Sequence, residues 1–171
     1  MKKVIGILLV PLAVLLGIDG SAAATGTGNQ RFFVAGRVED PGATITGSGV
    51  ITGVGSLTAQ SVEFRPADNT YSETDIVAIG GGSLTVSIDG RFSVWPFTVD
   101  PRSCTQRGTL SGTWTIVTGG GDFAGATGAG TFSGWFFTYA RRGPAGCDEA
   151  NLKGFLAGPM VGTVRTAPTP P

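Results

Sequence analysis

The chain has 171 residues, of which 41% are hydrophobic, 14% are charged and 29 are glycine, and it contains no histidine. This length predicts one domain, and the lack of histidine excludes a Ser-His-Asp triad, a Cys-His pair and a His-ligated zinc site. Basic and acidic residues each number 12, so no net charge favours nucleic acid as a partner. We expect no metal and no cofactor.

The first 24 residues resemble a secretory signal peptide. Two lysines precede an apolar run of 15 residues at positions 4–18, and small residues follow up to Ala24. A basic start, a short apolar stretch and an Ala-x-Ala pattern are typical of such signals. An uncleaved anchor is the alternative, but the run contains Pro11 and is shorter than the roughly 20 residues that span a bilayer. We expect cleavage after Ala24, no membrane span afterwards, and secretion by a bacterium.

The mature chain has the pattern of an all-β domain at residues 25–165, followed by a flexible proline-rich tail at residues 166–171. Runs rich in Val, Ile, Thr, Phe and Trp alternate with turns rich in Gly, Asp, Asn and Pro. In chain order, the predicted strands lie at residues 31–38, 43–53, 56–65, 72–79, 83–89, 91–99, 109–117, 130–139, 152–157 and 161–165. We count eight or nine strands over these ten segments, and their mostly local connections favour an antiparallel meander.

Glycines inside the strands favour a closed barrel over a flat sheet. Examples are Gly36, Gly112 and Gly134. Interior glycine suits strands that bend sharply or pack closely, and closure removes exposed sheet edges. The prediction is a small antiparallel β-barrel, with a β-sandwich as the alternative. Within it, Asp89 and Gly90 are predicted to form a hairpin turn.

The two cysteines, Cys104 and Cys147, lie in turn-like segments of the exported part. An even number of cysteines in an oxidising compartment predicts one disulfide. The alternative is a catalytic thiol, which would lack a histidine to activate it.

The segment at residues 112–134 reads GTWTIVTGGGDFAGATGAGTFSG. It resembles the long hairpin of the allene oxide cyclase and dirigent-like barrel superfamily, above all small secreted bacterial members of unassigned activity. That hairpin reads G-G-T-G-x-F-x-G-A-x-G-x-G. The matching residues are Gly119, Gly121, Phe123, Gly125, Ala126, Gly128 and Gly130, while Thr118 and Gly120 depart from the pattern.

The resemblance implies an eight-stranded barrel whose interior can hold an apolar ligand, and it implies possible assembly into homo-oligomers. The related enzymes guide ring closure of a fatty-acid epoxide, and dirigent proteins guide coupling of phenolic radicals. The hairpin itself is structural: its glycines permit positive backbone angles, and Phe123 can fold back as a plug over the barrel end. A phosphate loop is the alternative, but the Gly-Lys-Ser/Thr signature is missing. Fold resemblance does not transfer chemistry.

Aromatic residues are the first candidates for a ligand site. Trp95, Trp114 and Trp135 are plausible walls of an apolar pocket, and core packing is the alternative for each. On the strand at residues 131–139, Trp135, Phe137 and Tyr139 share one face. Phenylalanines occupy the other face, so this strand is predicted to be covered on both sides, by a pocket and by an oligomer contact.

Charged residues on strands are the second group of candidates. Arg37 and Arg91, with Glu63 or Asp75, would orient a ligand or transfer protons if they pointed inward. Solvent-facing charges are the alternative.

Three functions follow from these observations. The first is a non-enzymatic secreted binder of a small apolar or aromatic molecule, which predicts a cavity touched by at least one tryptophan. The second is a structural or surface-interaction protein with a filled core. The third is a cyclase or dirigent-type guide, which requires an inward acid, arginine or tyrosine inside a cavity.

Overall fold

The structure is a computed structural model that describes residues 26–40, 42–94 and 98–167. The predicted signal peptide at residues 1–24 and most of the predicted tail lie outside the described residues. No helix in the described part of the chain is long and apolar enough to cross a bilayer.

Ten antiparallel strands make up most of the described chain, with one short 3-10 helix at Glu149–Asn151. The strands are β1 (Gly26–Arg37), β2 (Gly42–Gly49), β3 (Gly53–Arg65), β4 (Thr70–Ile79), β5 (Gly82–Phe92), β6 (Thr105–Gly121), β7 (Thr127–Tyr139), β8 (Arg142–Gly143), β9 (Gly146–Cys147) and β10 (Lys153–Thr166).

Eight of these strands form a closed barrel in the order β1-β10-β7-β6-β5-β4-β3-β2, while β8 and β9 form a separate ribbon. The first and last strands close the barrel, with register from Gly26 opposite Thr166 to Arg37 opposite Phe155. Closure leaves the main sheet without a free edge. The predicted eight-stranded antiparallel barrel is therefore confirmed, and the alternative β-sandwich is wrong.

The predicted hairpin turn at Asp89 and Gly90 is wrong, because β5 runs through both residues. Gly90 faces the interior, where the ring of Tyr71 from β4 lies directly against its backbone, and an added Cβ would collide with that ring. Glycine here provides space for a neighbouring aromatic ring. An Asp-Gly pair predicts a turn only when no such packing partner is present.

Trp114 fills the middle of the barrel. It is 1% exposed, and its ring makes an edge contact with Phe32 at 5.9 Å between centroids. Glycines on the neighbouring strands make room for it: a Cβ on Gly130 or Gly162 would lie 2.8 or 2.7 Å from the indole ring. One half of the barrel is therefore packed solid around this side chain.

The β6–β7 hairpin closes the packed end. Gly121 and Gly125 adopt positive φ angles of 62° and 72°, which turn the chain back on itself. The turn is held by backbone hydrogen bonds, including one that Ala126 donates to Phe123 at 2.9 Å. Phe123 is buried in the core. It occupies the position that the hairpin motif predicts, as a plug over this end.

The predicted disulfide joins Cys104 to Cys147, with 5.4 Å between Cα atoms. It lies just beyond the last β6–β7 pair, Thr105 opposite Tyr139. The bond therefore connects the base of the long hairpin to the β8–β9 ribbon, at the end of the barrel opposite Phe123.

Candidate functional site

The half of the barrel opposite Phe123 contains a cavity of about 510 Å³. It lies where β1, β3, β5 and β7 end and where β2, β4, β6 and β10 begin. Most of its wall is apolar, and the wall includes Val34, Leu57, Ile88, Leu110, Leu156 and Met160. This volume and lining match those of small-molecule sites, which measure roughly 300–1,000 Å³.

Strand β4 supplies the polar part of the wall. Tyr71, Glu73 and Asp75 all line the cavity, and Val77 continues the same face into the packed core. Alternation along a strand places every second side chain on one face. Because β4 begins at the cavity end, Tyr71 lies nearest the mouth and Asp75 lies deepest.

The two carboxyl groups are electrostatically linked. Burial, the charge of Glu73 and a hydrogen bond donated to Glu73 together raise the pKa of Asp75 to about 8. Burial also raises the pKa of Glu73, although accepting that hydrogen bond opposes the rise. Burial and the two nearby carboxylates raise the pKa of Tyr71, which keeps its hydroxyl neutral. We expect Asp75 to hold its proton at neutral pH.

Two buried polar atoms on the cavity wall make no hydrogen bond within the described residues. They are Oδ1 of Asp75 and Oγ1 of Thr138, on side chains that are 1% and 2% exposed. Buried polar atoms are usually paired, so each unpaired one calls for an explanation. Arg37 is the only cation among the described residues of the wall, and it is exposed at the rim beside Asp40.

Aromatic rings of the described residues cluster near the mouth. Tyr71 stacks on Phe92 with centroids 4.7 Å apart, and Phe64 lies 6.2 Å from Phe92 and 6.3 Å from Tyr71. Phe136 meets Phe92 edge-on at 6.0 Å. Aromatic pairs in such arrangements are rigid and favourable, so this wall is preorganised for an apolar partner.

The sequence-predicted aromatic candidates do not line the cavity within the described part of the chain. Trp114 is buried in the packed half, and Trp95 lies outside the described residues. Trp135, Phe137 and Tyr139 share one face, as predicted, but that face is the outside of the barrel, where Trp135 is 52% exposed. There the ring of Phe137 stacks on Tyr139 at 6.2 Å. The cavity is lined by other aromatic residues instead.

The predicted charged candidates divide between the two sides of the wall. Asp75 points inward and Arg37 lies at the mouth, whereas Arg91 and Glu63 are exposed on the outer surface. For Arg91 the reason is strand parity, since the even-numbered residues of β5 face the core.

Glu63 faces outward because of a β-bulge. The pairing of β3 with β4 shifts between Ala59 and Ser61, which adds one residue to β3. Beyond the bulge Val62 and Phe64 line the cavity, so Glu63 between them points to solvent. A single added residue exchanges the two faces of a strand.

Sequence reasoning missed Tyr71 and Thr138 as site residues, and it did not favour Glu73 among the charged residues on strands. The sequence of β4 contains a usable signal. Tyr71, Glu73 and Asp75 occupy every second position of the strand, on the same face as Val77 and Ile79. Acidic residues in phase with core residues indicate carboxyl groups that face the interior. For Thr138 the chain offers no comparable signal.

The described residues contain no group of three or more His, Cys, Asp and Glu side chains placed to hold a metal ion. A scan against protein-family models and searches of curated proteins and solved structures gave no match.

Proposed function

We propose that the protein is a secreted, non-enzymatic β-barrel that binds a small, largely apolar molecule in the cavity. The observation that carries this proposal is the cavity of about 510 Å³, apolar over most of its wall and polar along β4. A protein with only a structural role would be expected to fill this space, because voids in a barrel core cost stability. The filled-core alternative is therefore less well supported.

Export from a bacterial cell is part of the proposal. It is supported by the signal-like composition of residues 1–24 and by the disulfide between Cys104 and Cys147. Disulfides persist in oxidising compartments and are rare in the cytosol. The eight-stranded barrel and its plugged hairpin are also what the resemblance to the allene oxide cyclase and dirigent-like superfamily implies. Membership of that superfamily stays a prediction.

A cavity-filling substitution tests binding. Ala59 lines the cavity opposite Asp75, whereas Ala78 is exposed on the outer face of the adjacent strand. Nile red, a neutral apolar dye, should bind the wild-type protein with increased fluorescence. Ala59→Phe should weaken dye binding about tenfold or more, because the ring occupies the space that the dye needs. Ala78→Phe is the matched control and should bind like the wild type.

Equal dye binding by Ala59→Phe and the wild-type protein would contradict the proposal, provided both are folded. Far-UV circular dichroism and urea unfolding establish the fold of each variant. Weaker binding by Ala78→Phe would place the dye on the outer surface instead.

A second function, guidance of a cyclisation or coupling reaction, is favoured by one observation. Asp75, Glu73 and Tyr71 place a protonated carboxyl, a carboxylate and a hydroxyl inside the cavity. A donor and an acceptor side by side can transfer protons to and from a bound substrate. Turnover of an apolar substrate that is lost in Glu73→Gln would favour this function over simple binding.

Self-association stays a prediction as well. The outer face of β7 and β10 exposes Trp135 and Phe155, which lie close together on neighbouring strands. Exposed aromatic patches of this kind occur at protein interfaces.

A further inference from the structure

We infer that the ligand of the cavity carries a protonated amine, which Glu73 and Asp75 bind while the apolar wall holds the rest of the molecule. This inference rests on the proposed function and names the chemical class of ligand for the same site. It is argued from the placement of charge, from an unpaired acceptor and from the order of polar and apolar groups along the wall.

The first argument is the uncompensated charge. The titratable and charged groups of the described wall are Arg37, Asp40, Tyr71, Glu73 and Asp75. Arg37 and Asp40 are exposed at the rim, where solvent screens their charges. The strands on either side of β4 turn only apolar or small side chains toward the pair, so the deep part of the cavity holds carboxyl groups with no cation. A buried carboxylate is costly unless a positive partner accompanies it.

The second argument is an unpaired acceptor beside the carboxyl pair. Oδ1 of Asp75 is buried on the cavity wall and lacks a hydrogen-bond partner within the described chain. An ammonium group carries three N–H donors, which suits a site rich in acceptors. Charge-assisted hydrogen bonds of this type are stronger than those between neutral groups.

The third argument is selectivity. A carboxylate ligand would bring a third acidic group to Glu73 and Asp75 and would be repelled. An alcohol can donate a single hydrogen bond and brings no compensating charge. An amine with an apolar body fits both parts of the wall. Its ammonium group can bind the carboxyl pair, and its body can contact Tyr71 and Phe92, which line the path from the mouth to that pair.

Three probes of matched shape test the inference by isothermal titration calorimetry at pH 7. They are 2-(1-naphthyl)ethylamine, 2-(1-naphthyl)ethanol and 1-naphthaleneacetate, which share the naphthyl body and differ in the charge and the hydrogen-bond donors of the polar end. The wild-type protein should bind the amine about tenfold tighter than the alcohol and should bind the acid most weakly. The double variant Glu73→Gln with Asp75→Asn keeps the shape of the pair and should lose this preference while still binding the alcohol.

The matched control is the double variant Glu63→Gln with Asp89→Asn, since both acids lie on the outer surface of the two strands that flank β4. It should keep the preference for the amine. Equal affinity of the wild-type protein for amine and alcohol would overturn the inference, and so would a preference that survives in the Glu73 and Asp75 variant. In both cases alcohol binding would leave the proposed function standing. Failure of all three probes to bind would overturn the proposed function and this inference together.

Discussion

At the scale of single residues, the most informative side chain is Asp75. It is 1% exposed, faces a second acid and has an oxygen without a partner in the described structure. A fully apolar residue at this position would make the same strand more stable. Binding of the proposed ligand would explain why the chain carries this cost to folding.

The raised pKa of Asp75 predicts how stability depends on pH. The folded state binds this proton more tightly than the unfolded state, whose carboxyl has the ordinary value of about 3.9. The contribution of Asp75 to stability is therefore greatest below about pH 4 and falls as pH rises toward 8, by up to about 1.4 kcal/mol per pH unit. Asp75→Asn should flatten this dependence and raise the free energy of unfolding at pH 8.

Urea unfolding of wild type and variant at pH 5, 6, 7 and 8 measures this effect. Asp89→Asn, an exposed substitution on the neighbouring strand, is the control and should change the free energy of unfolding by less than about 1 kcal/mol at every pH. A variant that is less stable than the wild-type protein at pH 8 would show that the Asp75 carboxylate is stabilising.

At the scale of secondary-structure elements, small irregularities determine which side chains reach the cavity. The bulge in β3 turns Val62 and Phe64 inward and Glu63 outward. The hairpin between β6 and β7 returns over the opposite end and places Phe123 in the core. The bulge in β3 shapes the half of the barrel that contains the cavity, and the β6–β7 hairpin closes the packed half.

The disulfide ties the base of the β6–β7 hairpin to the β8–β9 ribbon. Its loop spans a sequence separation of 43 residues, for which the chain-entropy model predicts about 4 kcal/mol of stabilisation. Replacing Cys104 and Cys147 together by alanine should lower the free energy of unfolding by about this amount and leave the far-UV circular dichroism spectrum unchanged. Urea unfolding of the variant and of the oxidised wild-type protein measures this difference in free energy.

The reduced wild-type protein is the natural control for that experiment, because it lacks the bond but keeps both cysteine side chains. It should unfold at the same urea concentration as the alanine variant. Equal stability of the oxidised protein and the variant would mean that other contacts already restrict this loop in the unfolded state.

At the scale of the whole molecule, the barrel is divided into a packed half and an open half. Trp114 and Phe123 both lie in the packed half, and the cavity occupies the other half. The packed half supplies stability, so the open half can hold a cavity and a pair of carboxyl groups. This division resembles the general arrangement in which a rigid scaffold carries a less stable functional site.

Export is tested by expressing the chain with residues 1–24 in place in a bacterium that secretes proteins. The secreted protein should begin at Thr25, because the small residues before it form the predicted cleavage site. Its intact mass should be lower by two hydrogens than that of the reduced chain, owing to the single disulfide. A cell-bound protein that retains residues 1–24 would instead support a membrane anchor.

Much of the fold was accessible from the pattern of residues. Alternation in segments such as residues 83–89, turns rich in glycine and the hairpin at residues 112–134 together predict an antiparallel barrel, and the even cysteine count predicts its disulfide. The prediction failed at Gly90, because the space that Tyr71 requires becomes visible only when β4 and β5 are paired.

The site was harder to predict for the same reason. Period-two alternation tells which residues of one strand share a face, and this local signal determined the all-β class and the shared face of Trp135, Phe137 and Tyr139. It does not tell which face looks inward, because barrel closure and the bulge in β3 decide that through contacts between distant strands. Only the tertiary structure therefore placed Glu73 and Asp75 inside the cavity and Glu63 and Arg91 outside it.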